Sequence, residues 1–267
     1  MDFFIVTPSF NQCNFLKQTI DSVLNQKVKG KIIYWLFDGG STDGSKELLQ
    51  QYDNKIYWIS KKDKGQTDAI NKGIKQLTLW LKKNNKDPEQ VIFAYLNSDD
   101  YYLPKALSLV ERFFNRSPHR WLVGDCQIVN EQGNEIHKSV RFYKQFWRFW
   151  LSKGLLAVLN PIPQPGVFIR ASEILKIGFF NERLYYVMDY DYWFRLFENS
   201  GLPIRLSSPL AAFRIHQSSK GSSQFKKQFA EQLTVARRYN QNSILLAIHA
   251  LHNTIAILMY QIIKLNL

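Results

Sequence analysis

The feature that most constrains this chain is a recurring pattern of apolar runs, rich in β-branched and aromatic residues, that stop abruptly in polar or acidic ones. The sharpest case is Val91-Ile92-Phe93-Ala94-Tyr95-Leu96, which runs straight into Asn97-Ser98-Asp99-Asp100. The apolar part reads as a buried strand. Two adjacent carboxylates at its mouth repel each other and are costly to desolvate. A divalent cation would supply the missing attraction, because hard cations take oxygen ligands and bridge to phosphates. A solvated turn capping the helix that starts near Pro104 is the competing reading.

Earlier stretches repeat the pattern. Phe3–Thr7 reads as a first strand, ending in Pro8-Ser9-Phe10-Asn11 before an amphipathic helix carrying Phe15, Ile20, Val23 and Leu24. Lys31–Phe37 is a second strand, closed by Asp38-Gly39-Gly40-Ser41-Thr42-Asp43-Gly44, with a helix over Ser45–Tyr52. Ile56–Ser60 is a third, and Gly65-Gln66-Thr67-Asp68 opens a helix through Leu81. This alternation predicts an α/β fold with a doubly wound, mostly parallel sheet flanked by helices, joined by right-handed crossovers. Such sheets bind ligands at the carboxyl ends of their strands, where the polar residues converge.

Beyond Pro104 the pattern predicts a helix to about Asn115 and a strand over Trp121–Asn130, broken by Gly124-Asp125. A dense aromatic-basic stretch runs from Arg141 to Ser152. Gln164-Pro165-Gly166 precedes a strand, Val167–Arg170, and a helix. Met188-Asp189-Tyr190-Asp191-Tyr192-Trp193 opens another helix, and an apolar stretch leads to Ile215. His216 and a flexible-looking Ser- and Gly-rich loop over 217–223 follow, then a C-terminal helical segment with no charge from Asn240 to Ile263.

The balance of 35 Lys and Arg against 22 Asp and Glu gives +13, which favours anionic partners. Nucleic acid is the weakest of these, because no reader motif occurs and the strand-end acids would repel phosphates. Cys13 and Cys126 form neither a metal-ligand spacing nor a disulfide framework, which suits a reducing compartment. The start of the chain is too short an apolar run, without a basic flank, for a signal peptide, so a cytoplasmic protein is expected.

Taken in order, the motifs resemble the family 2 inverting glycosyltransferases of the GT-A fold, specifically a bacterial subgroup with a Gln-Pro-rich acceptor segment. The matching stretches are Thr7–Asn11, Asp38–Gly44, Asp63–Gly73, Leu96–Asp100, Met188–Trp193 and Arg214–His216. The resemblance implies a GT-A domain over 1–223, with a nucleotide-sugar half to about 130 and an acceptor half after it, and a helical extension over 224–267. It implies transfer of a sugar from a nucleotide-diphosphate sugar, a UDP-sugar first, to a hydroxyl of a glycan or lipid-linked acceptor, assisted by Mn2+ or Mg2+. By the same resemblance, Asp99 and Asp100 divide metal and ribose between them, with Asp100 preferred for the metal and His216 as a third contact to metal or diphosphate. Pro8, Asn11, Asp38, Asp43 and Asp68 would line the nucleotide pocket. Asp189 would be the general base, with Asp191 as runner-up, although a pairing of Asp191 with Arg195 one turn on is expected. Gln164 and Trp193 fall on the acceptor side, and Lys220 on a loop closing over donor.

Three departures from the family pattern stand out: Asn97 for a third acid, Gly39 for the acid that often reads uracil, and Met188 for the acid before the base. They motivate an inactive binding protein as an alternative. A nucleotidyltransferase is another, but it calls for a Gly-rich basic loop after the first strand, which Pro8–Asn11 lacks. The uncharged C-terminal run has the length of a membrane span, yet His249, His252 and Asn253 share one helical face, which favours an interfacial helix. The aromatic-basic stretch offers a second anchor to anionic lipid. Peripheral attachment to the inner face of the cytoplasmic membrane is therefore expected, with packing on the core or a homodimer contact as the other reading.

Overall fold

The structure, a computed structural model, describes residues 1–216 and 225–265. Eight strands form one sheet in the order β3-β2-β1-β4-β7-β6-β8-β5. β1 (Asp2–Ser9) pairs in parallel with β2 (Ile32–Asp38) and β4 (Val91–Tyr95), and β2 with β3 (Tyr57–Ser60). Every residue of β1 and of β4 is buried, as expected of strands covered on both faces. Phe3 and Ile5 point into one core layer, with Leu16, Ile20 and Val23 of α1 (Cys13–Leu24). Phe4 and Val6 point into the other, with Ile70, Ile74 and Leu77 of α3 (Gln66–Lys83). A Cβ on Gly73 would lie 2.5 Å from a Val6 methyl, so the glycine lets α3 settle directly on β1.

The second half is mixed rather than simply parallel. β7 (Val167–Arg170) is antiparallel to both β4 and β6 (Trp121–Val129), whereas β8 (Ile204–Arg214) is parallel to β6. The predicted break at Gly124-Asp125 is a shift of register inside a continuous β6. β5 (Tyr101–Tyr102) is a two-residue strand with no sequence signal, antiparallel to β8, with Tyr101 opposite Ala212. Because β1, β2, β4 and β8 all run one way, their carboxyl ends reach the same edge. β5 then ties the Asp99-Asp100 turn to the end of β8.

The remaining helices are α2 (Ser45–Gln50), α4 (Ala106–Phe114), α5 (Lys138–Phe149), α6 (Lys153–Leu156), α7 (Ala171–Ile177), α8 (Met188–Ser200), α9 (Phe225–Tyr239) and α10 (Ser243–Leu265). The aromatic-basic stretch is thus mostly α5. The C-terminal helices pack on the domain: Val235 and Ala236 of α9 are fully buried in the same core layer as α8. His249 of α10 donates from Nδ1 to the Ala157 carbonyl at 2.8 Å.

Candidate active site

The loops that follow β1, β2 and β3 are pinned to one another. Pro8 lies buried within β1, opposite Phe37. Asn11, in the left-handed region at φ 51°, accepts the Thr42 N–H at 3.0 Å and donates its own N–H to Ser41 Oγ at 2.7 Å. Asp38 is buried, and its oxygens accept from Gly40 N, Ser41 N, Ser41 Oγ and Ser60 Oγ, so it shapes the turn from behind. Asp43 accepts from Cys13 N at 2.8 Å and from the Ser45 N–H and hydroxyl, bracing α1 against α2. Burial pushes Asp43 up, but the Ser45 and Cys13 hydrogen bonds outweigh it and hold the carboxyl below its ordinary range. Asp68 is held down in the same way, with burial opposed by Lys72 at 2.8 Å and the Lys64 N–H.

Space, rather than dihedral freedom, explains Gly39. Gly40 takes the positive φ of the turn, +85°, while a Cβ on Gly39 would lie 3.2 Å from Asp63 Oδ1 and 3.3 Å from the Phe10 ring. The Asp63 carboxylate therefore stands beside the place where the family carries an acid at 39. Burial pushes Asp63 upward against the hydrogen bond it accepts from Gly65 N. Phe10 is 60% exposed beside it.

At the end of β4 the two carboxylates part company. Asp100 is completely buried; Oδ1 accepts the Arg214 N–H at 2.9 Å and Oδ2 faces Asn97 Nδ2 at 3.3 Å. Burial, reinforced by the neighbouring Asp99, pushes Asp100 well above the usual carboxylate range. Asp99 keeps some exposure and sets Oδ2 3.0 Å from His216 Nε2. Arg214 locks the pair from below: its guanidinium donates to the carbonyls of Asp99 and Asn130 and sits over the Phe15 and Tyr101 rings. Asn97 joins a small amide network, accepting from Gln66 Nε2 at 2.7 Å and lying 3.4 Å from Gln164 Oε1. Gln164 in turn donates to the Tyr95 carbonyl at 2.8 Å.

A carboxylate oxygen and an imidazole nitrogen 3.0 Å apart are a mixed donor pair that suits Mn2+ better than the oxygen-seeking Mg2+. Among the described residues no group of three His, Cys, Asp or Glu could hold a metal ion. A cation there would therefore rely on further oxygens, as Mg2+ does when it shares substrate phosphates with one or two carboxylates.

Asp189 opens the first turn of α8, and its Oδ1 accepts the Tyr190 N–H at 2.8 Å. Burial raises its pKa to about 6, against the opposing hydrogen bonds and the Lys144 charge. Met188, where the family carries an acid, is buried with Sδ 3.9 Å from Tyr95 Oη. No side chain within α8 caps its start. Glu231 of α9 instead holds the segment that leads into it, accepting the N–H groups of Tyr185 (3.0 Å), Tyr186 (2.7 Å) and the N-cap residue Val187 (2.9 Å).

Asp191 is buried between Arg195 (3.1 Å) and Tyr239 Oη (3.0 Å), facing away from the cleft. Trp193 is corrected outright: it is fully buried and stacked on Trp121, so it belongs to the core and not to the acceptor side. Its period within α8, next to Phe194 and Phe197, is that of a core face. Lys220 and the 217–223 loop lie outside the described residues. Sequence reasoning missed Asp63, Gln66, Lys144 and Glu231. The first two lie inside a quoted motif; Glu231 carries no local signal at all.

The family model of glycosyl transferase family 2 matches residues 4–170. An uncharacterized glycosyltransferase of Rickettsia prowazekii is 26% identical over 201 residues, covering 74% of this chain and 59% of that protein. The minor teichoic acid biosynthesis protein GgaA of Bacillus subtilis is 32% identical over 152 residues, 52% of this chain and 32% of its own length. The chain thus spans less than two thirds of the length of these relatives. Among solved structures, S. aureus TarS 1-349 in complex with UDP-GlcNAc superposes with a TM-score of 0.65 at 16% identity, covering 88% of this chain and 65% of that one. Mannosyltransferase PcManGT from Pyrobaculum calidifontis, in complex with GDP-Man and Mn2+, gives 0.63 at 10%, covering 93% and 68%. At these identities the structures speak for the fold alone, and they establish the GT-A arrangement of sheet and helices. With the family match running through the strand ends that build the cleft, the chain belongs to glycosyl transferase family 2.

Proposed function

We propose that this protein transfers a sugar, with inversion, from a nucleotide-diphosphate sugar to a hydroxyl of a cell-envelope glycan or lipid-linked acceptor. The observation that carries the reading is the meeting of Asp99 with His216 beyond the end of β4, while Asp189, its pKa raised to about 6, opens α8 next to Met188, which reaches Tyr95 of the same strand. Asp189 takes the proton of the acceptor hydroxyl as that oxygen bonds to the anomeric carbon. The bond from that carbon to the diphosphate oxygen breaks on the opposite face. A base with a pKa of about 6 is ionised at neutral pH yet basic enough to accept a proton in the transition state. Asp99 and His216 would hold Mn2+ or Mg2+, whose charge would offset that growing on the departing diphosphate. We assign the metal to Asp99 rather than Asp100, since Asp100 is sealed behind Arg214 and Asn97. Phe10 offers its exposed ring to the base, with the Asp63 carboxylate beside it to accept a ring N–H.

GgaA, by its name, favours an envelope acceptor, and the TarS complex with UDP-GlcNAc favours a UDP-sugar donor. PcManGT, with GDP-Man and Mn2+, keeps the choice of base open to measurement. A peripheral place on the inner membrane face is part of the reading, supported by the outward apolar stripe of α10. The test is a screen of UDP-, GDP- and dTDP-sugars for nucleotide release with Mn2+ or Mg2+. Release from one donor, lost in chelator and reduced at least a hundredfold by Asp99→Asn but far less by Asp189→Asn, is expected for donor hydrolysis. No binding or turnover of any nucleotide sugar refutes the transferase reading.

A further inference from the structure

Part of the +13 charge gathers at the edge where the strands begin, opposite the cleft. The two edges are one length of β1 apart, roughly 25 Å for eight residues at about 3.3 Å each. There the loop from α1 to β2 and the last turns of α4 enclose an open depression of about 520 Å3. Lys27 and Lys29 line it from the loop, and Arg112 and Arg116, one turn apart, line it from α4 and just beyond, with the Asn115 amide between them. Among the described residues none of these four cationic side chains has an ion pair or hydrogen bond. The acid in the wall, Glu111, is 5% exposed and turned inward. Its Oε1 accepts from the α-amino group of Met1 at 2.9 Å and its Oε2 from the Lys29 N–H at 3.1 Å.

The two walls are fixed against each other. A Cβ on Gly30 would lie 2.0 Å from the Met1 carbonyl oxygen, so the glycine lets the lysine-bearing loop press onto the start of β1. Gln26, buried at the end of the other wall, joins it to the start of α4. Its Nε2 donates to the Leu103 carbonyl at 3.0 Å and its Oε1 accepts the Leu107 N–H at 3.1 Å. Both α1 and α4 end at this edge, and each C-terminus brings about half a negative charge. Four cations against roughly one negative charge leave a surplus of about three. Helix-end complementarity alone would be met by fewer. One carboxylate or one phosphodiester leaves most of this surplus unmet. A di- or triphosphate group meets it, and its many oxygens suit the paired N–H donors of arginine. The volume falls within the range of small-molecule sites.

We propose that this depression binds a soluble di- or triphosphate group, gripped by Arg112 and Arg116 on one side and by Lys27 and Lys29 on the other, with the Asn115 amide as a neutral donor. It is an anion site separate from the cleft, and it does not depend on which reaction the cleft performs.

The test is calorimetric titration of the full chain with inorganic tripolyphosphate at low salt and without divalent cations, with citrate as a carboxylate control. One tripolyphosphate per chain is expected, bound at least tenfold more tightly than citrate. The pair Arg112→Gln and Arg116→Gln should weaken it at least tenfold. The pair Lys61→Gln and Lys62→Gln removes the same charge at the cleft edge, beyond the end of β3, and should change it less than threefold. All four side chains are exposed, and thermal melts matching the unaltered chain show that each variant is folded. Equal weakening in the two pairs assigns the effect to net charge, and a loss confined to the lysine pair assigns it to the cleft; either overturns the site. Citrate binding as tightly as tripolyphosphate, or no tripolyphosphate binding, overturns it as well. Binding to phosphatidylglycerol vesicles that is lost in the arginine pair, without tripolyphosphate binding, would give the depression to a membrane surface instead.

Discussion

Asp189 carries two opposed consequences of one environment. Burial raises its pKa to about 6, so the acidic limb of the kcat/KM profile for transfer should titrate near pH 6, with activity rising as the group ionises. The stability sign runs the other way. A carboxyl whose folded pKa lies above its unfolded value favours the fold while protonated and weighs against it once pH passes through the folded pKa. Replacing it by a neutral amide removes that burden, so Asp189→Asn should abolish transfer yet raise stability by roughly 1–3 kcal/mol above pH 7, with little gain at pH 4. Thermal melts of both proteins at the two pH values check this; a less stable variant at neutral pH would show that Asp189 is a structural cap. The same residue scale explains Trp193. From the sequence it sits in a motif; in the fold it faces Trp121, and nothing local distinguishes an aromatic that meets a ligand from one that meets another indole.

At the level of elements, the site is held by pieces far apart in the chain. The four strand ends were legible in the sequence because burial enforces apolar runs and the cleft enforces polar stops, both local signals. The pairing of Asp99 with His216 was legible only through the order of motifs, since it needs β8 to run parallel to β6 and β5 to bridge back. Glu231 was not legible at all. Its environment is created by α9 folding back over the loop before α8, a tertiary event with no periodic signature. By accepting the backbone N–H groups of Tyr185, Tyr186 and Val187 it pins the loop into α8 and fixes the approach to Asp189. Charge-assisted hydrogen bonds of this kind are worth about 1.5–3 kcal/mol each at most, and they share one carboxylate. Glu231→Ala should therefore destabilise the protein by about 2–4 kcal/mol. It should lower transfer at saturating acceptor by ten- to a hundredfold while leaving the donor KM within threefold, since the donor loops are built on other strands. A change confined to donor KM would place Glu231 on the wrong side of the cleft.

For the whole molecule, the question is what meets the outward face of α10. His249, His252 and Asn253 point inward, to Ala157, Tyr143 and the Phe229 carbonyl. Ile244, Ile248, Leu251, Ile255, Leu258 and Met259 recur at helical spacing on the outside, and all are exposed. The polar residues that argue against a span are thus absorbed by the protein itself, while the apolar stripe stays exposed among the described residues. Among the described residues no helix is long and apolar enough to cross a membrane. Lying in the headgroup region is the arrangement such a helix fits. Phe142, Phe146, Phe149 and Trp150 of and beside α5 are also exposed, near the Tyr143–His252 contact, and on a membrane they would serve as aromatic anchors. Fully burying one large aliphatic side chain gains about 1.5–3 kcal/mol. A Lys or Arg near an anionic surface adds about 1 kcal/mol, screened by salt. With six aliphatic or Met side chains on the stripe, the apolar term dominates, so flotation with anionic liposomes should weaken in high salt but persist. The pair Ile248→Gln and Leu251→Gln should abolish it while donor hydrolysis in solution stays within twofold, because neither residue faces the cleft. If the unaltered chain stays unbound to anionic liposomes at low salt, the membrane assignment fails. A particle of twice the mass in light scattering would then give the stripe to a second copy of the chain.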